Sequence, residues 1–455
     1  MIISKSLDHL GLRDESGLKT PLRVKSLGEL HGSWFEMGAQ YGDRAKDYIA
    51  IVFEDTYTHL SAIYDENHLR DDLNRYLLAL ESFSPQALEF LKGIARSTET
   101  SLETSTLSAL EKILLIGSRN DLDFRHPKSI HEISTQTIGS ARACSSLAII
   151  GQEGGASEES TILSHNNDGQ FGAMYHVSYT ANPSEEGARK FWTIALAGQL
   201  AYTLVNDCGL AITETAGGVT KPDDCDFGVP WQVLTWHTIA HSQSAQEAVR
   251  TITVGTNEYQ KKTGRSSVLR TGGCNFLIAD KHETYAIEST ARRYGIRKPG
   301  DAGETAKYLV LTNHNLLQSS FSENNLETKV PLCFGNKTGS ELRYWTLAWL
   351  IRNNLGRINT SLVQDFMSSH FYISETGTRT DFVWNEKYGW VPANLSQEYS
   401  TTPCAHDGGY PERQVGGTQE SKVITIQNDE AEIRFLQGRP CEGRERWETA
   451  RLKLE

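Results

Sequence analysis

The sequence predicts an α+β protein in which blocks of helices and groups of antiparallel strands form separate layers. Apolar residues recur at helical spacing between residues 33 and 116, whereas short apolar runs bounded by turn residues dominate after residue 143. These strands fall into consecutive hairpins instead of alternating one by one with helices. The sequence also contains neither a G-x-G-x-x-G nor a Walker pattern. Together these observations favour a layered α+β architecture over a parallel, doubly wound sheet.

Composition limits the classes of function that this chain can have. The 455 residues are 38% hydrophobic and 22% charged, which is typical of a soluble globular protein of one to three domains. A net charge of −12 argues against binding to nucleic acid, because phosphate contacts need a concentrated basic surface. The sequence contains no run of 18 apolar residues, so it predicts no membrane span. The first residues lack the pattern of a secretory signal, so we expect a cytoplasmic protein.

The cysteines predict neither a disulfide framework nor a metal site. The seven cysteines (144, 208, 225, 274, 333, 404 and 441) are scattered, odd in number and never spaced as C-x-x-C. Cys404 and His406 form a Cys-x-His pair, but no second pair of ligands accompanies them. The sequence therefore predicts no metal and no cofactor.

The N-terminal third is predicted to be helical. Ser33 and Glu36 have the spacing of a capping box, and Gly38 and Gly42 lie four residues apart on the helix that follows. Glycines at that spacing allow another backbone to approach closely. Further helices are predicted at 71–83, at 85–97 after the Ser84 N-cap, and at 102–116. The polar segment 119–137 is predicted to be an exposed connection.

Most elements after residue 170 are predicted to be strands. The two exceptions are a pair of helices in the middle of this region and a second pair near residue 350. The predicted strands are 176–181, 191–196, 202–205, 210–213, 275–279, 285–288, 308–311, 423–427 and 432–436, and the predicted helices are 231–240, 244–251, 341–352 and 361–369.

The hairpin predicted at residues 141–168 carries a concentration of reactive side chains. Its two apolar runs flank a loop of glycine, serine and glutamate at 151–160. If the turn is centred near residue 156, Cys144 lies opposite Asp168 and Ser146 lies opposite Asn166. Directly opposed residues on antiparallel strands have Cβ atoms about 4.5–5.5 Å apart and share a face. The spacing thus predicts that a thiol, a carboxylate and an amide converge at one site.

Five motifs in this order resemble those of a known family. They are G-x-x-x-x-x-G at 32–38, Cys144 before two serines, N-x-D 22 residues later at 166–168, Thr-Asn-His at 312–314, and the Cys-x-His pair at 404–406. This order is similar to that of the penicillin acyltransferase (isopenicillin N acyltransferase) family of N-terminal-nucleophile (Ntn) hydrolases. The likeness spans about residues 25–445, and choloylglycine hydrolases are more distant relatives.

The resemblance implies a four-layer αββα sandwich formed by autocleavage between Ala143 and Cys144. The largely helical segment 1–143 and the strand-rich segment 144–455 would stay associated as one domain. The α-amine freed on Cys144 has an ordinary pKa of about 7.7–8.0, so it can accept the thiol proton as a general base. One residue then supplies both nucleophile and base, and no catalytic histidine is needed.

The same resemblance implies roles for the neighbouring residues. Asn166 and Asn313 are the expected donors to the tetrahedral oxyanion, each worth about 10²–10³ in rate. Asp168 is expected to orient the freed amine. Three further residues are expected to contact the substrate, namely Ser145, His165 and His314.

The sequence departs from the family pattern at three places. Ala143 replaces the glycine that many relatives have before the nucleophile. His165 stands where choloylglycine-type members have an arginine. Ala405 and His406 occupy the stretch where penicillin-forming members carry an arginine, and the pattern does not predict that Arg413 substitutes for it. These differences leave the nucleophile in place and the substrate open.

The sequence alone supports an enzyme that attacks the acyl-amide or thioester bond of a small molecule or peptide through an acyl-enzyme. A choloylglycine-like N-acyl-amine amidase is an alternative interpretation. From another class, the chain could be an unprocessed binding protein in which Ala143 blocks cleavage, with Cys144 a structural cysteine. A papain-like enzyme with a catalytic histidine is a weaker rival.

Overall fold

Two β-sheets face each other, and helices cover the outer face of each sheet. This arrangement is seen in a computed structural model, which describes residues 23–99, 102, 105–125, 143–170, 175–217, 225–317, 337–374, 376–385, 389–392, 402–405 and 416–455. Apolar side chains form three clusters: one between the sheets, and one under each helical layer. The layer order is therefore helix, sheet, sheet, helix.

The strands form an eight-stranded sheet, a six-stranded sheet and a small three-stranded sheet. Their orders are β1-β4-β5-β6-β7-β8-β9-β10, β11-β2-β3-β15-β16-β17 and β12-β13-β14. The strands are β1 Lys25–Gly32, β2 Ala143–Ile150, β3 Thr161–Gln170, β4 His176–Pro183, β5 Phe191–Leu196, β6 Thr203–Asn206, β7 Ala211–Ala216, β8 Cys274–Ala279, β9 Thr284–Ser289, β10 Tyr294–Arg297, β11 Tyr308–Leu311, β12 Phe371–Ile373, β13 Arg379–Asn385, β14 Gly389–Pro392, β15 Gly416–Ile426, β16 Glu430–Gln437 and β17 Glu448–Lys453.

Within the described ranges, seven helices share an apolar cluster with the eight-stranded sheet and two share one with the six-stranded sheet. The first group is α1 Trp34–Ser61, α2 Glu66–Phe83, α3 Pro85–Thr98, α4 Ala109–Arg125, α5 Trp231–His241, α6 Ala245–Thr253 and α7 Asn257–Thr263. The second group is α8 Lys337–Arg352 and α9 Thr360–Met367. None of the helices among the described residues is both long and apolar enough to cross a membrane.

Local sequence signals account for how the first helices begin and how they pack. Ser33 and Glu36 form both hydrogen bonds of the predicted capping box at the start of α1. A Cβ atom at Gly38 would lie 2.0 Å from the carbonyl oxygen of Phe90 on α3. The glycine therefore lets the α1 and α3 backbones come into contact, as its spacing predicted.

The α+β class predicted from the sequence and the four-layer order implied by the resemblance are confirmed. The strands at 191–196 and 308–311 have the predicted bounds, and α3 begins at the predicted Pro85. The helix predicted at 102–116 instead runs from Ala109 to Arg125, so the first part of the predicted exposed connection is helical. Its remainder, 126–137, lies outside the described residues. The strands β1, β10, β12, β13, β14 and β17 and the helix α7 were not predicted, because their apolar patterns are short.

Candidate active site

The register of the β2–β3 hairpin decides which side chains surround Cys144. The two strands pair so that Cys144 lies opposite Asn167 and Ser146 lies opposite His165. The predicted partners, Asp168 and Asn166, are each displaced by one position. The reason is the loop at 151–160, in which a 3₁₀ turn at Gln152–Gly154 shifts the centre of the hairpin by half a residue. A one-residue change in register moves every side chain to the other face.

Each face of the hairpin belongs to a different layer. The face of Ala148 and Ile150 contributes to the apolar cluster between the two sheets, and Cys144 shares that face because strand side chains alternate. The face of Leu147 and Ile149 packs against α8 and α9. The thiol therefore belongs to the interior between the sheets, where it is 3% exposed.

The Cys144 backbone and thiol have separate partners. The backbone N–H of Cys144 donates to Oδ1 of Asn313 at 2.9 Å, and Sγ donates to Oδ1 of Asn167 at 3.7 Å. Burial raises the pKa of the Cys144 thiol far above its usual range, and the nearby carboxylates of Glu214 and Asp168 raise it further. The thiol is therefore protonated in the uncleaved chain and needs a base before it can attack.

Asn313 holds the Cys144 nitrogen and is itself held by a buried arginine. Its Oδ1 also accepts a hydrogen bond from the guanidinium of Arg343 at 2.5 Å, and its Nδ2 donates to the carbonyl oxygen of Ala216 at 2.7 Å. Two donors on one atom and an acceptor on the other fix the orientation of this amide. Its oxygen thus faces the Cys144 nitrogen in this form of the chain, and the oxyanion-donor role of Asn313 stays a prediction.

Asp168 lies beside the predicted cleavage point. It pairs with Ala143 across the hairpin, is 1% exposed, and accepts a hydrogen bond from Oγ1 of Thr418 at 2.7 Å. Arg343 provides the nearby positive charge: burial lowers the pKa of its guanidinium, while Asp168 and Cys144 oppose that effect. An arginine remains charged even so. The site therefore contains a buried cation close to both the carboxylate and the thiol.

A fully buried ionic network lies behind the thiol. Asn167 hydrogen-bonds Glu420, which forms a salt bridge with Lys422 and lies 3.4 Å from Nε2 of His176. Burial raises the pKa of Glu420, but Lys422, His176 and Asn167 together outweigh burial and hold it below its usual range. Glu420 is thus ionised, and the network links the thiol to a charged pair between the sheets.

Two of the predicted site residues, Ser145 and Asn166, lie on the face of the hairpin that is directed toward α8 and α9. Asn166 points toward the helical layer, and its Nδ2 donates to the carbonyl oxygens of Met367 and Pro403 at 2.9 and 2.7 Å. Both of its donor hydrogens are used there, and the role of Asn166 as an oxyanion donor stays a prediction. Ser145 is opposite Asn166 and completely buried, and its contact with a substrate stays a prediction.

The two histidines predicted to contact substrate have partners within the chain, and their role in substrate binding stays a prediction. His165 is completely buried, with Nδ1 3.4 Å from Oγ1 of Thr203, and burial lowers its pKa well below the usual value. His314 interacts with Oγ of Ser340 at 2.9 Å, and its ring packs edge-on against Tyr344 of α8. His314 therefore ties the end of β11 to α8. His406 and Arg413 lie outside the described residues.

Sequence reasoning did not single out Asn167 and Arg343 as site residues. Asn167 was the unspecified middle residue of the N-x-D motif, and only the observed register places it beside the thiol. Arg343 is completely buried on α8, on the stripe that also carries Leu347 and Ile351. Burying a cation on an apolar helical stripe costs free energy, so the position of Arg343 in the sequence indicates a functional role.

Comparisons with known proteins give distant structural likeness and nothing closer. No family model matches the sequence, and no curated protein matches it. A mutant of the conjugated bile acid hydrolase from Clostridium perfringens aligns with a TM-score of 0.36 at 11% identity, covering 68% of this chain and 92% of that one. Penicillin V acylase from Agrobacterium tumefaciens aligns with a TM-score of 0.37 at 11% identity, covering 65% and 83%.

A third similar structure is the Caenorhabditis elegans ortholog of N-acylethanolamine-hydrolyzing acid amidase. It aligns with a TM-score of 0.30 at 12% identity, covering 49% of this chain and 84% of that chain. At such low TM-scores and identities we infer no activity from these likenesses.

Proposed function

We propose that this chain is an autoprocessing cysteine amidohydrolase or acyltransferase in which Cys144 becomes an N-terminal nucleophile. The observation that supports this most is the hydrogen bond from the Cys144 backbone nitrogen to Asn313. If cleavage turns the Cys144 nitrogen into a free amine, the side chain of Asn313 is already in place to hold that amine beside the thiol. Any buried backbone N–H needs an acceptor, and here the acceptor is a side-chain oxygen that could also hold a freed amine.

Maturation begins at the peptide bond between Ala143 and Cys144. The thiol attacks the carbonyl carbon of Ala143, the C–N bond breaks, and the acyl group moves to sulfur as a thioester while the nitrogen gains a proton. Water then hydrolyses the thioester, which releases the Ala143 carboxylate and regenerates the thiol. The position of Asp168 opposite Ala143 supports a role for this carboxylate in the first step.

The mature site then uses the new amine as its base. The amine takes the thiol proton, the thiolate attacks the carbonyl carbon of an acyl-amide, and the leaving amine departs with that proton. The resulting thioester passes its acyl group to water or to an acceptor amine. The balance between hydrolysis and transfer to an amine depends on how far the site excludes water from the thioester.

The residues around Cys144 have roles that follow from their contacts. Asn313 orients the amine through Oδ1, and Arg343 positions Asn313. The charge on Arg343 also favours the thiolate and the tetrahedral oxyanion over their neutral forms, because Coulombic effects are strong in a buried site. Before the attack, Oδ1 of Asn167 accepts a hydrogen bond from the Cys144 thiol.

The two products of cleavage have extensive contacts to hold them together. Strand β1 pairs in parallel with β4 at the edge of the eight-stranded sheet, and α1 to α4 cover the same sheet. These elements bury their apolar faces against strands from the other side of Cys144. We therefore expect segments 1–143 and 144–455 to remain one folded unit.

Trapping of an acyl-enzyme tests the proposed reaction. The purified protein is incubated with a panel of chromogenic N-acyl amides, quenched in acid and digested, and the peptide that begins at Cys144 is weighed. We expect the mass of one acyl group on that peptide with at least one amide. Amide turnover in the Cys144→Ala variant, or an acyl group found only on another residue, would contradict the proposal.

The same assay tests whether Arg343 positions Asn313. Because an electrostatic donor is worth about 10²–10³ in rate, we expect Arg343→Met to lower kcat by that factor. Arg343→Lys keeps the charge but loses the planar fork, so it should recover part of kcat. A buried arginine that served stability alone would lower the Tm of both variants and leave kcat per folded molecule unchanged.

A further inference from the structure

A second cluster of reactive side chains lies outside the Cys144 network. His370 follows α9, Cys404 lies in the segment 402–405, and Cys441 lies in a short 3₁₀ turn at Pro440–Glu442. One potential ligand atom from each of them lies within 4.8 Å of the other two. Among the residues that the structure describes, this is the one group of three or more such side chains with this proximity.

The chemistry and geometry of this cluster match those of a zinc site. Two thiolates and one imidazole are ligands that Zn²⁺ binds tetrahedrally, with Zn–S distances of about 2.3 Å. Tetrahedral angles then put two sulfurs about 3.7 Å apart, so ligand atoms no more than 4.8 Å apart need move only slightly inward. Two thiolates also neutralise the charge of the ion, which suits a site that is partly removed from solvent.

The three ligands come from separate segments that already contact one another. The backbone N–H of Cys404 donates to the carbonyl oxygen of Ser369 at 3.3 Å, and the thiols of Cys404 and Cys441 hydrogen-bond each other. Cys404 is completely buried, whereas His370 and Cys441 are half-buried. The cluster therefore has a fixed inner ligand and an outer side from which an ion can enter.

We propose that His370, Cys404 and Cys441 bind one Zn²⁺ ion that fixes the segment 402–405. Three protein ligands leave the fourth position to water or another donor. Binding releases the thiol protons to solvent, since only thiolates coordinate the metal. The ligands come from three regions of the chain, which explains why the spacing of Cys404 and His406 gave no indication of the site.

This site supports the Cys144 region through the residue after Cys404. The N–H of Ala405 donates to Oγ1 of Thr418 at 2.9 Å, the N–H of Thr418 donates to the Ala405 carbonyl at 3.0 Å, and Oγ1 of Thr418 donates to Asp168. A metal ion at Cys404 would hold this chain of hydrogen bonds in place. The proposal of a metal site rests on the ligand cluster alone, so it stands whether or not Cys144 carries out the proposed reaction.

Titration of the reduced, metal-free full-length protein with Co²⁺ tests the proposal. We expect one equivalent to bind with a thiolate-to-metal charge-transfer band and tetrahedral d–d bands, and Zn²⁺ to displace it. The Cys441→Ser variant should lose the charge-transfer intensity of one sulfur and bind at least tenfold more weakly. Cys208→Ser, which removes a half-buried thiol outside the cluster, is the matched control and should bind like the wild type.

Two further measurements distinguish metal binding at this cluster from metal binding elsewhere in the chain. Repeating the titration in a Cys144→Ala background should give the same spectrum, because that thiol is not a ligand. In the wild-type protein, one equivalent of Zn²⁺ should slow alkylation of Cys404 and Cys441 and leave Cys208 unchanged, a result that does not depend on how a variant folds. Absence of stoichiometric binding, an unchanged spectrum in Cys441→Ser, or a Cys404–Cys441 disulfide in protein purified without reductant would overturn the proposal.

Discussion

The two faces of the β2–β3 hairpin carry similar polar residues but place them in different environments. On the inner face, Cys144 contacts Asn167, and Asn167 leads to the ion pair between Glu420 and Lys422. On the outer face, Ser145 lies opposite Asn166, whose Nδ2 donates to two backbone carbonyl oxygens. The register of the hairpin therefore places Asn167, and not Asn166, beside the thiol, while Asp168 lies on the outer face opposite Ala143.

The largest expected difference between the faces concerns processing. Cys144→Ala removes the nucleophile, so a denaturing gel should show one full-length band, and amide turnover should fall by about 10⁴ or more. Ser145→Ala removes a hydroxyl from the outer face and should still give two fragments. Two fragments from Cys144→Ala, or a single band from both variants alongside a processed wild type, would show that the two faces do not differ in this way.

The buried ion pair on the inner face is expected to dominate stability. Glu420→Gln leaves Lys422 buried without its carboxylate, which should lower the free energy of unfolding by about 3–5 kcal/mol in urea titrations. The exposed pair of Arg451 and Glu430 is the matched control, and Glu430→Gln should cost about 0–1 kcal/mol. Equal losses of unfolding free energy in the two variants would mean that water reaches Glu420 on the inner face.

The neighbouring asparagines should separate activity from stability. Asn166→Ala leaves the carbonyls of Met367 and Pro403 without their donor, so the free energy of unfolding should fall by about 1–3 kcal/mol at unchanged kcat. Asn167→Ala removes one hydrogen bond to the thiol, and kcat should fall by roughly tenfold. Chemical unfolding and steady-state kinetics on the same preparations measure both effects. A loss of kcat in Asn166→Ala with unchanged kcat in Asn167→Ala would contradict the observed register and favour the one predicted from the sequence.

The smallest expected effect is a change in how stability depends on pH. Burial holds the pKa of His165 well below its usual value, so the folded state keeps it neutral while the unfolded state takes up a proton below about pH 6.5. Stability is therefore complete above that pH and is lost as the pH falls, by up to about 1.4 kcal/mol per pH unit for this group. His165→Gln should have a shallower slope between about pH 7 and pH 5, whereas exposed His282→Gln should match the wild type.

The sequence predicted the layers and the hairpin but not the details that make the site. Turn residues and apolar runs located β2 and β3, because both signals are local. The register was missed by one position because the loop at 151–160 contains a 3₁₀ turn and two glycines, Gly151 and Gly155, with positive φ. No local pattern reveals where such a loop is centred.

Like the register of the hairpin, contacts between segments that are distant in the sequence could not be predicted from local patterns. Asn313 was identified through the resemblance, but its hydrogen bond with the Cys144 nitrogen depends on the pairing of β11 with β2. Arg343 reaches Asn313 only because α8 packs across the outer face of the same sheet. Such partners are set by tertiary packing; periodicity marks Arg343 as a cation on an apolar stripe but does not show which residue it contacts.

Intact mass spectrometry of the purified full-length protein decides whether Cys144 becomes a chain terminus. We predict two species, covering residues 1–143 and 144–455, whose masses sum to that of the chain plus one water, with a free α-amine on Cys144 in the larger species. A single unprocessed mass under conditions in which the protein turns over an amide would contradict the proposed mechanism. So would a pair of fragments cut at any other bond.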